Sequence, residues 1–511
     1  MRIHGRILIT PPASLDERRG DAPWRWVYGA KVRPLRERRR VHSRKLFGGG
    51  GLRALALRGT AITLGGTASQ QMLRLLSNLI LTRLLFPEAF GMMALVQSFT
   101  AGLQMFSDLG LRPSIIQSKR GEDPDFLNTA WTIQIIRGVA LWLFACLLAW
   151  PLARFYGEEQ ILWLLPVVGL NALITGFYST KGIVANRKLL LGRQTVIALV
   201  CQVIGLTAMI AMALTWPSVW SLVLGGLVSS LIGVWANHRF IPGMSNRLRW
   251  EPTAVRELIG FGRFIFLSTM ATYVVAQGDR LFLGRTISLA DLGIYNVAFF
   301  LGAFPGMLAG MVANQILFPL YRQLPPGADR RNFAKIRKAR DLVTSGQMVL
   351  YTILGLAAVP LVHLMYDDRY AAAGPMLVVL ALAQLPGTVL IGSSRLLLAV
   401  GDSRRFSRLE IYRGFFTLAF MVGAFWLWGI FGVLVMPALL FLVTYPLQQS
   451  YLARYDATDI PRDAAFLALS ALIIAAAVWF NWDSLAEFYQ TSRMLAPSVT
   501  GSWEPKDIFA R

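Results

Sequence analysis

The chain has 511 residues, 55% of them hydrophobic and only 15% charged, with a formal net charge of +23 and a mean hydropathy of +0.50. Soluble domains carry about 25% charged residues, so the composition excludes a soluble globular protein and predicts an all-α, polytopic membrane protein. The positive balance calls for no nucleic-acid partner, because Lys and Arg outside the spans set membrane topology.

Residues 1–57 are Arg-rich, broken by Pro and Gly, and lack the apolar core of a signal peptide. They read as a mostly disordered cytoplasmic arm touching anionic headgroups, at about 1 kcal/mol per basic residue, or as sequence ahead of the true start. "GGGG" at 48–51 lacks the Lys of a phosphate loop and reads as a linker.

Thirteen apolar segments follow, each near the ~20 residues that cross a bilayer: 58–82, 88–110, 127–150, 160–180, 195–215, 218–236, 258–283, 288–318, 342–366, 373–399, 409–428, 431–452 and 464–480. They divide into an N-terminal six-helix bundle (58–240), a C-terminal six-helix bundle (257–455), an additional span (456–481) and a polar tail (482–511). The expected architecture is therefore two six-helix bundles, with about 12–14 transmembrane helices in all. Alternate loops are basic, at 112–120, 181–193, 239–256, 330–340, 404–408 and 454–462, and the intervening loops are poor in Lys and Arg. Excess base marks the cytoplasmic side, which puts the N-terminus inside. The side of the C-terminus stays open.

The two bundles carry a repeat. "RLLSNLILTRLLFPEAFGMM" (74–93) lies over "AQGDRLFLGRTISLADLGIY" (276–295) without gaps, pairing Leu79 with Leu281, Leu81 with Leu283, Arg83 with Arg285 and Gly91 with Gly293. The same register pairs Thr67 with Thr269. Both copies leave and return in the same sense, so the halves are related by an axis along the membrane normal. Transporters built this way hold substrate between the halves.

Charged residues inside spans cost roughly 2.5–3.5 kcal/mol each on insertion scales and mark cavities by default. Arg74 and Arg137 are too deep to snorkel and are expected to face a central cavity. Lys181, Arg395 and Arg413 lie nearer span ends, where long basic side chains reach the headgroups. Asp279 and Arg280 point about 100° apart on their helix, so Asp279 is open to a role as structural glue, cavity acid or ion-coupling group. Asn78, Gln104 and other amides supply polar company. A mostly basic interior suits an anionic substrate, since guanidinium matches phosphate oxygens. Cys146 and Cys201 sit in separate apolar runs and the four histidines are scattered, so neither disulfide, metal site nor cofactor is expected.

"SNLILTRLLFPEAFGMMALVQSF", "DLGLRPSIIQ", "IIRGVALWLFACLLAWPLARFYGE" and "GDRLFLGRTISLADLGIYNVAFFL", in that order, resemble the polysaccharide transporter family, the Wzx-like oligosaccharide-lipid flippases of the MOP exporter superfamily. The resemblance covers roughly residues 58 to 455. It implies a V-shaped pair of six-helix bundles around a positively charged cavity in the bacterial inner membrane. It also implies a non-enzymatic flippase for an undecaprenyl-diphosphate-linked oligosaccharide, feeding O-antigen, capsule or exopolysaccharide assembly beside a polymerase and chain-length machinery. Arg74, Arg137 and Arg280 would hold the diphosphate, and Arg137→Ala should fold yet fail to export. The alternative on the same fold is a MATE-like ion-coupled antiporter of small organic solutes, with Asp279 as the exchanging acid. A membrane glycosyltransferase or polymerase would need catalytic carboxylates, and the nearest acidic cluster, "YDDRY" (366–370), reads as a solvated loop.

Overall fold

The computed structural model describes residues 52–107, 110–188, 191–262, 266–324 and 326–493. The N-terminal arm up to residue 51, Asp108 and the tail beyond 493 lie outside them. The N-terminal half comprises α1 (Leu52–Leu84), α2 (Pro87–Phe106), α3 (Leu111–Gln117), α4 (Pro124–Tyr156), α5 (Ile161–Gly176), α6 (Lys181–Arg187), α7 (Leu191–Thr215) and α8 (Val219–Phe240). A linker helix α9 (Pro252–Gly262) leads to α10 (Phe266–Thr286), α11 (Leu289–Val312), α12 (Phe318–Gln323) and α13 (Arg330–Met365). Then come α14 (Ala373–Gln384), α15 (Thr388–Ala399), α16 (Ser403–Trp428), α17 (Ile430–Ala453), α18 (Ile460–Phe480) and α19 (Trp482–Arg493). Each of the thirteen expected spans is a helix or a bent pair of helices. Local signals set the ends. Pro87 and Pro124 open α2 and α4 at their first turns. Ser288 caps α11 by accepting from the Asp291 amide at 3.1 Å, and Gly157 closes α4 at a left-handed φ of 74°.

Among the described residues, nine helices are long and apolar enough to cross a membrane, or eleven with two bent pairs counted as single spans. The chain is a multi-pass membrane protein. Two long helices, α1 and α10, fall outside that set, because polar residues interrupt them: Gln70, Gln71, Arg74 and Asn78 in one, and Gln277, Asp279 and Arg280 in the other. They are the first helices of the two repeat copies. The bent pairs, α5–α6 at 61° and α14–α15 at 54°, are the fourth spans of the two halves. Packing repeats as well: α1 on α7, α4 on α5 and α7 on α8 in one half match α10 on α16, α13 on α14 and α16 on α17 in the other. The repeat seen in two spans of sequence extends through all six helices of each half.

The halves meet where α2 crosses α11. A Cβ built on Gly91 would stand 1.9 Å from the Leu289 carbonyl oxygen, and one on Gly293 would stand 2.0 Å from that of Pro87. The partners obey the same 202-residue offset as the glycines, so the contact is symmetric about the repeat axis. It lies at the base-poor end of the bundles, in the first turn and a half of each helix.

Two parts of the sequence reading change. The linker belongs mechanically to the N-terminal half: Arg247 N, Arg249 N and Glu251 N donate to Asn128, Thr132 and Thr129 side chains of α4 at 2.9, 3.0 and 3.1 Å. Ala254 and Leu258 join the apolar cluster of Leu111, Ile115, Phe126 and Leu127. Arg120 pairs with Glu251 at 2.8 Å, and its hydrogen bonds hold the Glu251 and Asp123 carboxyls below the usual carboxylate range. The second change is at the C-terminus, where residues 482–493 form a helix rather than a polar tail. This helix, α19, buries Phe488 and Ser492 and packs on α17, α14 and α18.

Helix α18 is fastened by a buried charge cluster. Asp463, 0% exposed, accepts from Arg462 at 2.8 Å, Gln449 at 2.7 Å, Tyr445 at 3.4 Å and Arg340 at 3.5 Å. Arg340 also donates to the Ala457 carbonyl at 3.1 Å, and Arg462 to Thr344 at 2.8 Å. The sequence reading counted Arg340 and Arg462 only as loop markers of topology.

Gly91→Ala and Gly293→Ala should each cost about 1–3 kcal/mol by overpacking against backbone, lowering the thermal midpoint in detergent. Gly310→Ala, with nothing within 4 Å of its Cβ position, should leave the midpoint unchanged or raised. Asp463→Ala strands two buried guanidinium groups and should cost about 3–5 kcal/mol, seen as rapid hydrogen exchange throughout α18.

Candidate functional site

A cavity of about 690 Å³ lies between the halves, walled by α1 and α2 on one side and α10 and α11 on the other. It begins near Phe90, just past the glycine crossing, and reaches Ala101 and Met307 toward the basic end. Arg74, Asn78 and Arg280 all line it, with Gln71, Gln97, Asn171, Gln277 and Asn296.

The two arginines are held differently. Arg74 is exposed, and its guanidinium lies 5.2 Å from the Phe300 ring centroid, with no hydrogen bond or ion pair among the described residues. Arg280 is tethered. Its Nε donates to Asn296 at 3.2 Å, and its Nη1 donates to Gln277 Oε1 at 3.1 Å and the Ala276 carbonyl at 3.2 Å. Its guanidinium also stacks 4.1 Å over Phe299, a cation–π contact. In the repeat register Arg280 matches Asn78, one helical turn from Arg74. Each half thus brings one guanidinium from its first helix, and the two are close enough for their charges to interact.

Asp279 is 6% exposed and does not line the cavity. Its Oδ2 accepts from the Tyr295 hydroxyl on α11, while Oδ1 lies 3.8 Å from Arg280 Nη1. The neighbours pair despite their divergence on the helix, because Arg280 folds back. Asp279 thus offsets part of Arg280's charge and leaves Arg74 whole.

Gln104 and Arg137 lie elsewhere. They line a second pocket of about 310 Å³ inside the N-terminal half, with Arg112, Gln134 and Thr175. Arg137 Nη2 donates to the Gln104 carbonyl and Nε to Ser107 Oγ, both at 2.9 Å, where α2 ends. One turn away, Gln134 Nε2 donates to the carbonyls of Thr175, Gly176 and Tyr178 at 3.2, 3.1 and 3.2 Å, where α5 breaks into α6. Broken helices inside a bilayer leave carbonyls without partners, and polar side chains of neighbouring helices must supply them. Both residues of α4 do this, a structural role for a deep arginine that does not line the central cavity. The sequence signals were the helix-breaking stretches "DLGLRP" and "GFYST" facing "QIIR". Lys181 acts similarly, donating to the His238 carbonyl at 2.9 Å, and Arg413 pairs with Glu410 at 3.2 Å.

"YDDRY" is solvated at its acids, with Asp368 exposed and Asp367 half-buried, but not at its tyrosines. Tyr366 and Tyr370 are buried, and Arg369 reaches into the other half to donate to the Thr82 and Arg83 carbonyls at 3.3 Å each. Arg369 also stacks 5.1 Å from the Phe86 ring. It thereby caps the C-terminal end of α1, where cations are favoured, and ties the halves together beside the glycine crossing. Toward the basic end, Tyr273 donates to the Ser98 carbonyl at 3.0 Å.

Arg137→Ala should cost about 1–3 kcal/mol through loss of its two hydrogen bonds to the end of α2, whereas Arg74→Ala should stay within roughly 0.5 kcal/mol of the parent. Paired thermal unfolding in the same detergent distinguishes the two.

The profile of the family described as polysaccharide biosynthesis protein matches residues 80–375, more than half of the chain. Curated relatives include the succinoglycan biosynthesis transport protein ExoT of Rhizobium meliloti, 24% identical over 60% of this chain and 61% of that protein. The teichuronic acid biosynthesis protein TuaB of Bacillus subtilis is 22% identical over 59% and 62%, and the lipopolysaccharide biosynthesis protein WzxC of Escherichia coli is 22% identical over 60% and 62%. The chain spans about three-fifths of the length of these relatives. Among solved structures, the lipid II flippase MurJ in an inward closed conformation superposes with a TM-score of 0.62 at 11% identity, covering 84% of this chain and 97% of that one. An inward-facing multidrug resistance MATE transporter of the MOP superfamily gives 0.58 at 14%, covering 76% and 96%. The two-bundle transporter fold is thus shared, and by its profile the chain belongs to the polysaccharide biosynthesis protein family.

Proposed function

We propose that this chain is a flippase that carries a polyprenyl-diphosphate-linked oligosaccharide across the bacterial inner membrane for O-antigen, capsule or exopolysaccharide assembly. The observation that carries this reading is the pair of guanidinium groups on the first helices of the two halves, facing one cavity, with Arg74 in no hydrogen bond or ion pair among the described residues. A diphosphate presents oxygens that two guanidinium groups can take together through charge-assisted hydrogen bonds. The cavity amides suit sugar hydroxyls, and the prenyl chain remains in lipid.

The basic end is the cytoplasmic one in this reading, with the N-terminus inside. The moving bodies are residues 58–258, linker included, and 266–455 with α18 and α19 attached. Alternating access then requires the α2–α11 crossing and the Arg369 contacts to open as the basic end closes. An ion-coupled antiporter of organic solutes would need an acid free to exchange ion and solute. Asp279 is engaged by Tyr295 and Arg280, which favours the flippase.

Liposomes containing the purified chain should move a labelled prenyl-diphosphate sugar between leaflets. Arg74→Ala and Arg280→Ala should each slow this at least ten-fold, equivalent to about 1.4 kcal/mol, with elution profiles unchanged. Full transport by the Arg74→Ala, Arg280→Ala double variant would overturn the reading, as would drug efflux without lipid movement.

A further inference from the structure

Another cavity lies on the outer side of the N-terminal half, away from the central one. A groove of about 630 Å³ runs between α7 and α8, floored by Ile197, Cys201, Ile232 and Ala236 and rimmed by Val200 and Trp235. Helix α7 has two faces. Thr195 packs against Gly66, Gln202 donates to the Gln70 carbonyl at 2.9 Å, and Met209 lines the central cavity. The groove residues form the other stripe, with Val196, Val200 and Ile204 59%, 50% and 39% exposed. This stripe touches nothing the transport reading uses.

Its dimensions and charge specify an occupant. From Arg193 to Ile204 the groove follows α7 for roughly 16 Å, close to one leaflet, half of a hydrocarbon core about 30 Å thick. Its lining is apolar except at the basic end, where Arg193 stands exposed at the mouth with no hydrogen bond or ion pair among the described residues. Arg239 lies on the same end of α8, 6.0 Å from the Phe240 ring. Between Glu159 and Glu251 the sequence holds seven Lys or Arg and no acidic residue, so no protein carboxylate in this stretch competes for those charges.

We propose that this groove is a binding site for one anionic phospholipid of the leaflet at the basic end, its acyl chain along Ile197, Val200 and Ile204 and its phosphate on Arg193. The lipid would brace α7 from the side opposite α1, the helix that carries Arg74. The site is independent of what the central cavity carries.

The test is native mass spectrometry of the full chain, released from detergent after incubation with phosphatidylglycerol or phosphatidylcholine. The parent should retain one phosphatidylglycerol in preference to phosphatidylcholine. Arg193→Gln should reduce that preference about five-fold, the factor expected for one basic residue at an anionic surface. Val200→Trp, on an exposed position, should block retention of the lipid altogether while elution and helical content stay unchanged. Soluble glycerol phosphate should not compete. Equal retention of both lipids by the parent, no change in either variant, or a dimer mass abolished by Val200→Trp would each overturn the proposal.

Discussion

The backbone approach of α2 to α11 governs the rest of the molecule. Two glycines let a carbonyl of each half rest against the Cα of the other, closer than any side chain would permit. That contact fixes where the two bundles touch. The cavity begins where they diverge. Everything lining it, from Phe90 to Met307, is placed by the angle at which two helices leave a common point.

A second constraint decides what the intramembrane polar residues do. Hydrocarbon cannot satisfy a free carbonyl, so each break in a helix recruits a donor from a neighbour. Arg137 and Gln134 serve the ends of α2 and α5, and Arg369 the end of α1. Arg340, Arg462 and Asp463 pair with one another. After these assignments, the ionised groups on the wall of the shared cavity are Arg74 and Arg280. The positive interior is therefore a matter of two side chains rather than a general excess of base.

Much of this was legible in the sequence. Apolar run length located the long helices, and an ungapped repeat of five residue pairs located the axis between the halves, because both depend on local order along the chain. Arg74 and Arg280 were legible for the same reason: they interrupt otherwise apolar helices. Arg137 interrupts one equally, and hydropathy cannot tell a guanidinium turned to a cavity from one turned to a broken helix 30 residues away. Asp463 sits near a span end and resembles a loop acid until Arg340, more than 120 residues earlier, is folded against it. In "YDDRY" the solvated acids were legible, whereas the buried tyrosines and the reach of Arg369 into the other half depend on the fold.

The crossing at Gly91 and Gly293 has the form of a homodimer contact. In an isologous interface residue i touches residue j and residue j touches residue i; here Gly91 meets Leu289 and Gly293 meets Pro87, each the other's counterpart in the repeat. A single six-helix unit would make the same contact with its own copy, from one glycine codon. Fusion of two such units into one reading frame would release the rest of the chain from that equivalence, which is how an amide at position 78 can face a guanidinium at 280. The asymmetry that gives the cavity a direction is thus laid over a junction that is itself twofold.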